Sequence, residues 1–559
     1  MEATYVLDYD VYAVSREQRL FLLARIKGAD AATGSRPPLN LGLVIDRSGS
    51  MAGDKLDRVK QAAAFLVKHL DPSDRLSLVT YDNVVTVEIA SQKVVHKDLF
   101  TAILSRITSG GTTNLSGGWL QGCTEVAAHL DPAQVNRVLL LTDGLANQGV
   151  TDPDQLTAMA AQRRAEGITT TTIGVGMDFN EDLLTAMAAA GGGAFYFIDD
   201  PDQAPTIFGE EIQGLLNVVG QNLTISAAFL SGVRLARQLT LYRQQGGGER
   251  ASFFLGDLFG GEEKVLVLEL EVPAMDNPGE VQIAHLRFEY DELGDGSVTH
   301  RVINLPVRLY VVPEDRLGER AANTDVLETV LLLEAANARR EAVRHADRGD
   351  FAQARDTLSR AADAIADSRV DSPELRAERD MLRESAIDMD LGARRYDAYY
   401  RKASTSRSFA MGQSSSTIHL THEQHERLRR SRPAVERGGP TPRRIRWESE
   451  NLPLDRDEIR IGRSKDNDIV LDDGQVSRHH CRIIRRGDDL YLEDLDSSGG
   501  TFANGGLLLP GEGFRLSVGD VLMVGSVLFS FYDAAPADAQ EAPPAEAPTE
   551  TEGNGEETS

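Results

Sequence analysis

The 559-residue sequence reads as a multidomain chain. It comprises a doubly wound α/β domain, an antiparallel β-sandwich module, a helical segment and a C-terminal all-β sandwich. Three observations carry this reading. From Asn40 to about Val218, short apolar runs alternate with amphipathic stretches, the signature of a mainly parallel sheet covered by helices. Residues 222 to 312 and 443 to 533 instead hold successive strand-like runs broken by glycines, as in antiparallel sheets. Residues 315 to 402 between them keep a helical period.

The bulk numbers narrow the function classes. With 41% apolar and 26% charged residues the chain is globular in composition. A net charge of -27 disfavours nucleic acid and anionic membrane as partners. Cys123 and Cys481 stand far apart, in different expected domains, and support neither a disulfide framework nor a zinc site. No apolar stretch approaches the ~20 residues a membrane-spanning helix needs. Met1 leads straight into Thr4 to Asp8 without a basic and then apolar leader, so a cytoplasmic location is expected.

In chain order, Tyr5 to Val14 and Arg19 to Lys27 are rich in Val, Leu, Ile and Tyr and read as strands of the later sandwich module. The run Leu41, Leu43, Val44, Ile45 reads as a strand buried on both faces. It ends at once in Asp46, Ser48 and Ser50, with Gly49 between the serines. One carboxylate and two hydroxyls at alternate positions can converge above a strand end. Oxygen-only ligation of this kind suits a hard divalent cation, Mg²⁺ before Ca²⁺ or Zn²⁺. A plain strand-to-helix turn capped by a serine is the simpler alternative.

Two later stretches decide against that alternative. Ser109 to Gly118 (SGGTTNLSGG) supplies a further hydroxyl among glycines, and Arg137 to Gly144 (RVLLLTDG) is a second apolar strand ending in an acid, Asp143. Together these resemble the von Willebrand factor A domain and its metal-ion-dependent adhesion site. The family pattern Asp-x-Ser-x-Ser, a distant Thr and a distant Asp maps onto Asp46, Ser48, Ser50, Thr113 and Asp143. Thr113 is preferred to Thr112 because Asn114 and Leu115 follow it as in the family. The resemblance implies a divalent metal, Mg²⁺ or Mn²⁺, at these five residues.

The expected helices of this domain are Lys55 to Leu70, Lys97 to Arg106, Ser116 to Leu130, Pro153 to Glu166, Glu181 to Ala190 and Pro201 to Val218. Its other strands are expected at Arg75 to Tyr81, Val84 to Ile89, Arg137 to Thr142, Thr169 to Val175 and Ala194 to Phe197. Lys264 to Val272, Val281 to Tyr290 and His300 to Val312 then read as antiparallel strands. Gly256-Asp257-Leu258 among them resembles a motif of bacterial cytoplasmic A-domain proteins. Three helices follow: Thr324 to Arg348, Phe351 to Asp367 and Pro373 to Lys402. The expected boundaries are 1–36 for strands joining the sandwich, 37–219 for the A domain and 220–314 for the sandwich module. The helical segment takes 315–402, a Ser-, Thr- and Arg-rich linker 403–442, the last domain 443–533 and an acidic disordered tail 534–559. Arg427, Arg429, Arg430, Arg432 and Arg437 make the linker basic, but without interleaved aromatics it reads as solvated chain.

The last domain carries Gly462-Arg463-Ser464, Ser477-Arg478-His479-His480, Ser497-Ser498-Gly499-Gly500-Thr501 and Asn504-Gly505. A guanidinium fork beside hydroxyl donors suits a phosphate dianion. These motifs resemble the forkhead-associated (FHA) domain, an eleven-stranded sandwich that binds phosphothreonine peptides through loops at one end. The resemblance implies phosphate contacts from Arg463, Ser477, Arg478 and Ser498, with Gly462 and His480 structural. The family's Asn-Gly-Thr is Gly499-Gly500-Thr501 here, which removes a side-chain contact to the peptide backbone. Restoring Asn at 499 is therefore expected to tighten binding.

No nucleophile–base pair, paired carboxylates or phosphate-cradling loop before a helix is visible; His69 and His96 lie in other elements than Ser48. The expected function is a non-catalytic signalling adaptor. A divalent metal takes a partner's acidic residue, and the last domain takes a phosphothreonine made by a Ser/Thr kinase pathway. Two alternatives stand beside it: an adaptor or co-chaperone of a MoxR-type AAA ATPase, and a metal-dependent hydrolase using the same five residues.

Overall fold

The computed structural model describes residues 1–9, 11–29, 36–199, 204–275, 277–294, 297–317, 322–413, 434–447, 450–525 and 527–533. The chain divides into two compact units, Met1–Leu428 and Arg429–Ser559.

A six-stranded sheet lies at the heart of the first unit. Its order is Val85–Lys93, Arg75–Tyr81, Leu39–Asp46, Val135–Thr142, Thr169–Val175, Gly192–Ile198, parallel throughout except for the Val85–Lys93 edge. The central strands Leu39–Asp46 and Val135–Thr142 are buried at every position. Alternate residues therefore feed opposite layers. Leu43, Ile45, Leu139 and Leu141 pack with Leu56, Val59 and Leu66 of helix Asp54–His69 and with Ile207 and Phe208. Val44, Val138 and Leu140 pack on the other face with Trp119, Leu156, Leu183 and Met187. Helix Leu115–Ala127 lies close to the sheet because Gly118 has no side chain; a Cβ there would fall 2.3 Å from the Tyr81 ring. The glycines after Thr113 thus serve helix-on-sheet packing.

The adjoining module consists of a four-stranded and a six-stranded sheet around one apolar core. Strands Glu2–Leu7 and Gln18–Lys27 enter the first sheet, as a partner for Glu263–Val272. The run expected as one strand from Tyr5 to Val14 is split. Asp8 accepts from Tyr12 Oη at 2.5 Å and from Phe21 N at 3.0 Å, and the short strand Val11–Ala13 crosses to pair parallel with Ser297–Val312 in the second sheet. Strands Val218–Phe229, Arg234–Gln238, Arg243–Gly247 and Arg250–Phe259 were not individually legible; all four contain polar residues and at least one exposed position.

Asp257 explains the Gly-Asp-Leu motif. Arg137, 1% exposed on the central strand, donates to Asp257, to Glu211 Oε1 at 3.0 Å and to Thr169 Oγ1 at 3.0 Å. Glu211 also accepts from Thr171 Oγ1 at 2.8 Å and Tyr196 Oη at 2.9 Å. This buried charge cluster fastens the parallel sheet to the antiparallel module.

Helices Thr324–Asp347, Phe351–Asp367 and Pro373–Asp390 form the helical segment. The third was expected to run to Lys402; it stops at Leu391–Gly392, where Gly392 takes φ +62°. A fourth helix, Ala398–Gly412, then overturns the expected linker start at 403. It is held by contacts a periodicity scan does not see. Lys402 Nζ donates to Phe179 O and Glu181 Oε2, both at 2.5 Å, and sits 3.9 Å from the Phe179 ring centroid. Arg407 and Arg339 share buried Glu378. Linker arginines 427, 429, 430 and 432, and the acidic tail 534–559, lie outside the described residues. Both cysteines are buried thiols.

The second unit consists of a six-stranded and a five-stranded sheet around a single core that includes Ile461, Cys481, Leu492, Leu522, Phe529 and Phe531. The expected linker end is ordered against this unit: Ala434 N donates to Leu507 O at 3.0 Å, and Val518 N to Pro440 O at 2.8 Å.

Candidate functional site

In the first unit the neighbouring strands Leu39–Asp46 and Val135–Thr142 run in parallel register, Ile45 opposite Leu141, so Asp46 and Asp143 emerge side by side. Both carboxylates are 0% exposed. Asp46 Oδ1 accepts from Ser48 N at 2.8 Å and Oδ2 from Thr142 Oγ1 at 2.7 Å. Ser48 Oγ lies 3.1 Å from Ser50 Oγ, and Ser50 Oγ donates to Asp143 Oδ1 at 2.8 Å. Burial raises the Asp46 pKa, only partly offset by the donors from Thr142 and Ser48, while neighbouring Asp143 adds to the rise.

Thr113 arrives from the loop after Ile107. Its N–H donates to Asn147 Oδ1 at 2.9 Å, and its carbonyl accepts from Asn147 N at 3.2 Å. A Cβ built on Gly144 would lie 3.0 Å from Thr113 Oγ1 and 3.6 Å from Asp46 Oδ2, so these oxygens border the same small volume. All five sequence-selected residues therefore meet at the carboxyl ends of adjacent parallel strands, where ligands of such sheets bind. Ser48 and Thr113 are buried and Ser50 is exposed, which leaves the cluster open on the Ser50 side. The set holds two carboxylates and three hydroxyls, a donor chemistry that fits a hard divalent cation. Among the described residues there is no group of three or more His, Cys, Asp or Glu that could hold a metal ion.

Three residues that the sequence reading missed complete the cluster. Thr142 orients Asp46. Asp82 braces the Thr113 loop: its carboxylate accepts from Gly111 N at 3.3 Å and faces Arg47 Nη2 at 3.2 Å. Lys55 Nζ donates to Asp143 Oδ2 at 2.7 Å. Burial opposes the Lys55 charge, but its contacts with Asp143 and Asp178 prevail and raise its pKa. Only Lys55 had a legible signal, its place just after the Asp-x-Ser-x-Ser run.

In the second unit Arg463, Ser477 and Ser498 share one loop end. Arg463 N donates to Ser477 O at 3.0 Å and Arg463 Nε to Val476 O at 3.2 Å. Ser477 Oγ lies 3.1 Å from Ser498 Oγ and accepts from Ser498 N at 3.0 Å. Arg463, Arg478 and Ser498 are exposed. The Arg478 backbone is fixed, its carbonyl accepting from Ser464 N at 3.0 Å and Asn467 Nδ2 at 2.7 Å.

His480 is 0% exposed and architectural. Its Nδ1 lies 3.1 Å from Ser477 N and its Nε2 3.1 Å from Gly500 O, so the neutral ring accepts from one loop and donates to the next. Burial lowers its pKa despite the contact with Gly500 O, in keeping with that neutral form. Asp494, missed in the sequence, ties the third loop by accepting from Ser497 Oγ at 2.6 Å and from Thr501 Oγ1.

Gly462 and Gly499 are close-approach positions. A Cβ on Gly462 would fall 2.5 Å from Arg478 O, and one on Gly499 would fall 2.7 Å from Gln475 O. The expectation that Asn at 499 tightens binding is thereby corrected, because the Gln475 backbone occupies the space its side chain needs. Asn504 takes φ +50° and bonds Asp520 Oδ1 at 2.8 Å, a turn residue away from the Arg463 loop contacts.

Comparison with known proteins identifies the two domains in which these clusters lie. The von Willebrand factor type A domain family matches residues 40–210, and the FHA domain family matches residues 459–525. The chain is 29% identical over 338 residues to the uncharacterised protein sll0103 of Synechocystis, covering 58% of this chain and 77% of that one. It is 28% identical over 304 residues to the uncharacterised protein YfbK of Escherichia coli, covering 52% of this chain and spanning 51% of the relative's length. The fold resembles the solved von Willebrand factor type A protein from Catenulispora acidiphila, with TM-score 0.55, 20% identity, and coverage of 68% of this chain and 89% of that one.

Proposed function

We propose that this chain, which carries a von Willebrand factor type A domain and an FHA domain, is a non-catalytic adaptor with two binding heads. The observation that carries the reading is the convergence of Asp46, Ser48, Ser50 and Asp143 in one hydrogen-bonded cluster, with Thr113 Oγ1 bordering it and Ser50 exposed. These five residues would hold a divalent cation, most readily Mg²⁺ or Mn²⁺. Such a cation would supply a Lewis-acidic position for a carboxylate oxygen of a partner protein. The residues prepare that position: Thr142 and the Ser48 amide fix Asp46, and Ser50 fixes Asp143. The Ser48 and Ser50 hydroxyls engage each other and Asp143, and the absence of a histidine from these contacts favours binding over hydrolysis.

The second head binds a phosphothreonine peptide. Arg463 offers a charge-assisted fork, and the Ser477 and Ser498 hydroxyls stand 3.1 Å apart beside it, presented by loops that His480 locks together. Partner choice would then depend on a Ser/Thr kinase pathway. Among the described residues no helix is long and apolar enough to cross a membrane; the proposed working place is the cytoplasm.

Calorimetric titration tests the two heads separately. Mn²⁺ should bind the full chain and fail to bind the Asp46→Ala variant, while a phosphothreonine peptide library should bind both but not Arg463→Ala. Unchanged Mn²⁺ affinity in Asp46→Ala, or equal binding of phosphorylated and unphosphorylated peptides, refutes the corresponding head.

A further inference from the structure

Lys55 is the second residue of helix Asp54–His69, and it reaches back across the strand ends to the oxygen cluster. Its Nζ donates to Asp143 Oδ2 at 2.7 Å and to Asp178 Oδ2 at 3.2 Å. Ser50 already holds the other oxygen of Asp143. The reach is built in: Gly176, at φ +73° just after strand Thr169–Val175, leaves room for the lysine stem, and a Cβ there would fall 2.8 Å from Lys55 Cε. The Lys55 side chain is 26% exposed, Asp143 is 0% exposed and Asp178 is 67% exposed. The lysine thus bridges a carboxylate inside the cluster and one outside it. An ordinary surface ion pair would be worth little, but here one partner is fully shielded from water.

The charges around the cluster can be counted. Asp46 and Asp143 supply two negative charges within it. Arg47 and Asp82 face each other at 3.2 Å and cancel. Asp178 is largely screened by solvent. Lys55 therefore leaves the cluster one negative charge short of balancing a divalent cation. Without Lys55 the two carboxylates would neutralise such a cation alone. With it, the loaded site carries an excess positive charge that an incoming carboxylate would balance.

We propose that Lys55 sets the specificity of this site, by making divalent-cation affinity depend on an added carboxylate ligand. This deepens the metal-site reading above and rests on it. The consequence is a site that is weak towards free cation and strengthened by the partner's own acidic side chain, so that cation and partner bind cooperatively.

The test titrates the full chain with Mn²⁺ alone, and then with acetate as the carboxylate probe, by calorimetry and Mn²⁺ electron paramagnetic resonance. Lys55→Met should bind Mn²⁺ about tenfold more tightly than wild type without acetate, as expected for loss of one partly screened positive charge. Acetate should strengthen Mn²⁺ binding by wild type and Lys55→Arg, and leave Lys55→Met unaffected. Lys55→Gln, which keeps a polar donor but no charge, should behave as Lys55→Met does and stands in for it if the apolar variant fails to fold. Mn²⁺ affinity that is unchanged or weaker in both neutral variants, or acetate enhancement that persists in them, overturns the proposal. Failure of wild type to bind Mn²⁺ at all overturns instead the underlying metal reading.

Discussion

Arg137→Met replaces the guanidinium that bonds both Asp257 and Glu211 in a buried cluster with an apolar side chain of similar length. Arg137 is 1% exposed, and Asp257 and Glu211 are each 3% exposed. Glu211 keeps Thr171 and Tyr196 as donors after the change. Asp257 loses the guanidinium that bonds it in the seam between the two sheets of different kind, and only the longer-range attraction of buried Arg164 is left to it. Leaving a buried charge uncompensated costs about 3–5 kcal/mol. Asp257→Asn added to Arg137→Met removes that orphan charge, so the double variant should be less destabilised than the sum of the single changes, by at least about 1 kcal/mol. The chain's two tryptophans make the assay specific, since Trp119 is buried in the first unit and Trp447 belongs to the second. Urea unfolding followed by Trp119 fluorescence in a Trp447→Phe background therefore reads the first unit alone. A cost below about 1 kcal/mol for Arg137→Met, or strict additivity in the double variant, would refute the view that this cluster fastens the parallel sheet to the antiparallel module.

Further outcomes follow from other contacts. Burial by itself would raise the Glu378 pKa, but Arg339 and Arg407 overcome it and hold the carboxyl at about 2. Its contribution should be fully present above the usual value of 4.5 and be lost as pH falls towards 2, a change of roughly 3 kcal/mol. Glu378→Gln should flatten that slope in Trp119-monitored unfolding. The His480 pKa is lowered by burial from 6.5, so the unfolded chain takes up the proton first, and stability of the second unit should decline as pH drops below 6.5; Trp447 fluorescence measures it. Arg463→Ala should weaken phosphothreonine-peptide binding by about 2 kcal/mol or more, with Ser477→Ala losing less, in fluorescence anisotropy. Gly499→Asn should weaken rather than tighten the same interaction, because its Cβ would meet Gln475 O at 2.7 Å.

Local signals were legible where burial is symmetric or a polar residue interrupts an apolar run. Leu39–Asp46 and Val135–Thr142 are buried throughout and close on the apolar runs Leu43–Ile45 and Val138–Leu141, so the acids just beyond them stood out. Thr142, by contrast, looked like the last residue of a strand, and only the parallel register turns its hydroxyl onto Asp46. Residues 403–412 of helix Ala398–Gly412 read as linker because they are rich in Ser, Thr and Arg, yet Arg407 and Phe409 are buried there. Thr405 of the same helix is half-buried as well. In the second unit the Gly-Arg-Ser and Ser-Arg-His-His motifs were readable, but the close approach of Gln475 O to Gly499 is a backbone contact that no residue type announces.

The central claim is that the chain has two independent heads, one dependent on metal and one on phosphate. Affinity capture from native lysate tests it most directly, with the wild-type chain, Asp46→Ala and Arg463→Ala each compared with and without EDTA and phosphatase. The account predicts two separable sets of partners, one lost with EDTA or Asp46→Ala and the other lost with phosphatase or Arg463→Ala. A single partner set that survives all four treatments would contradict it.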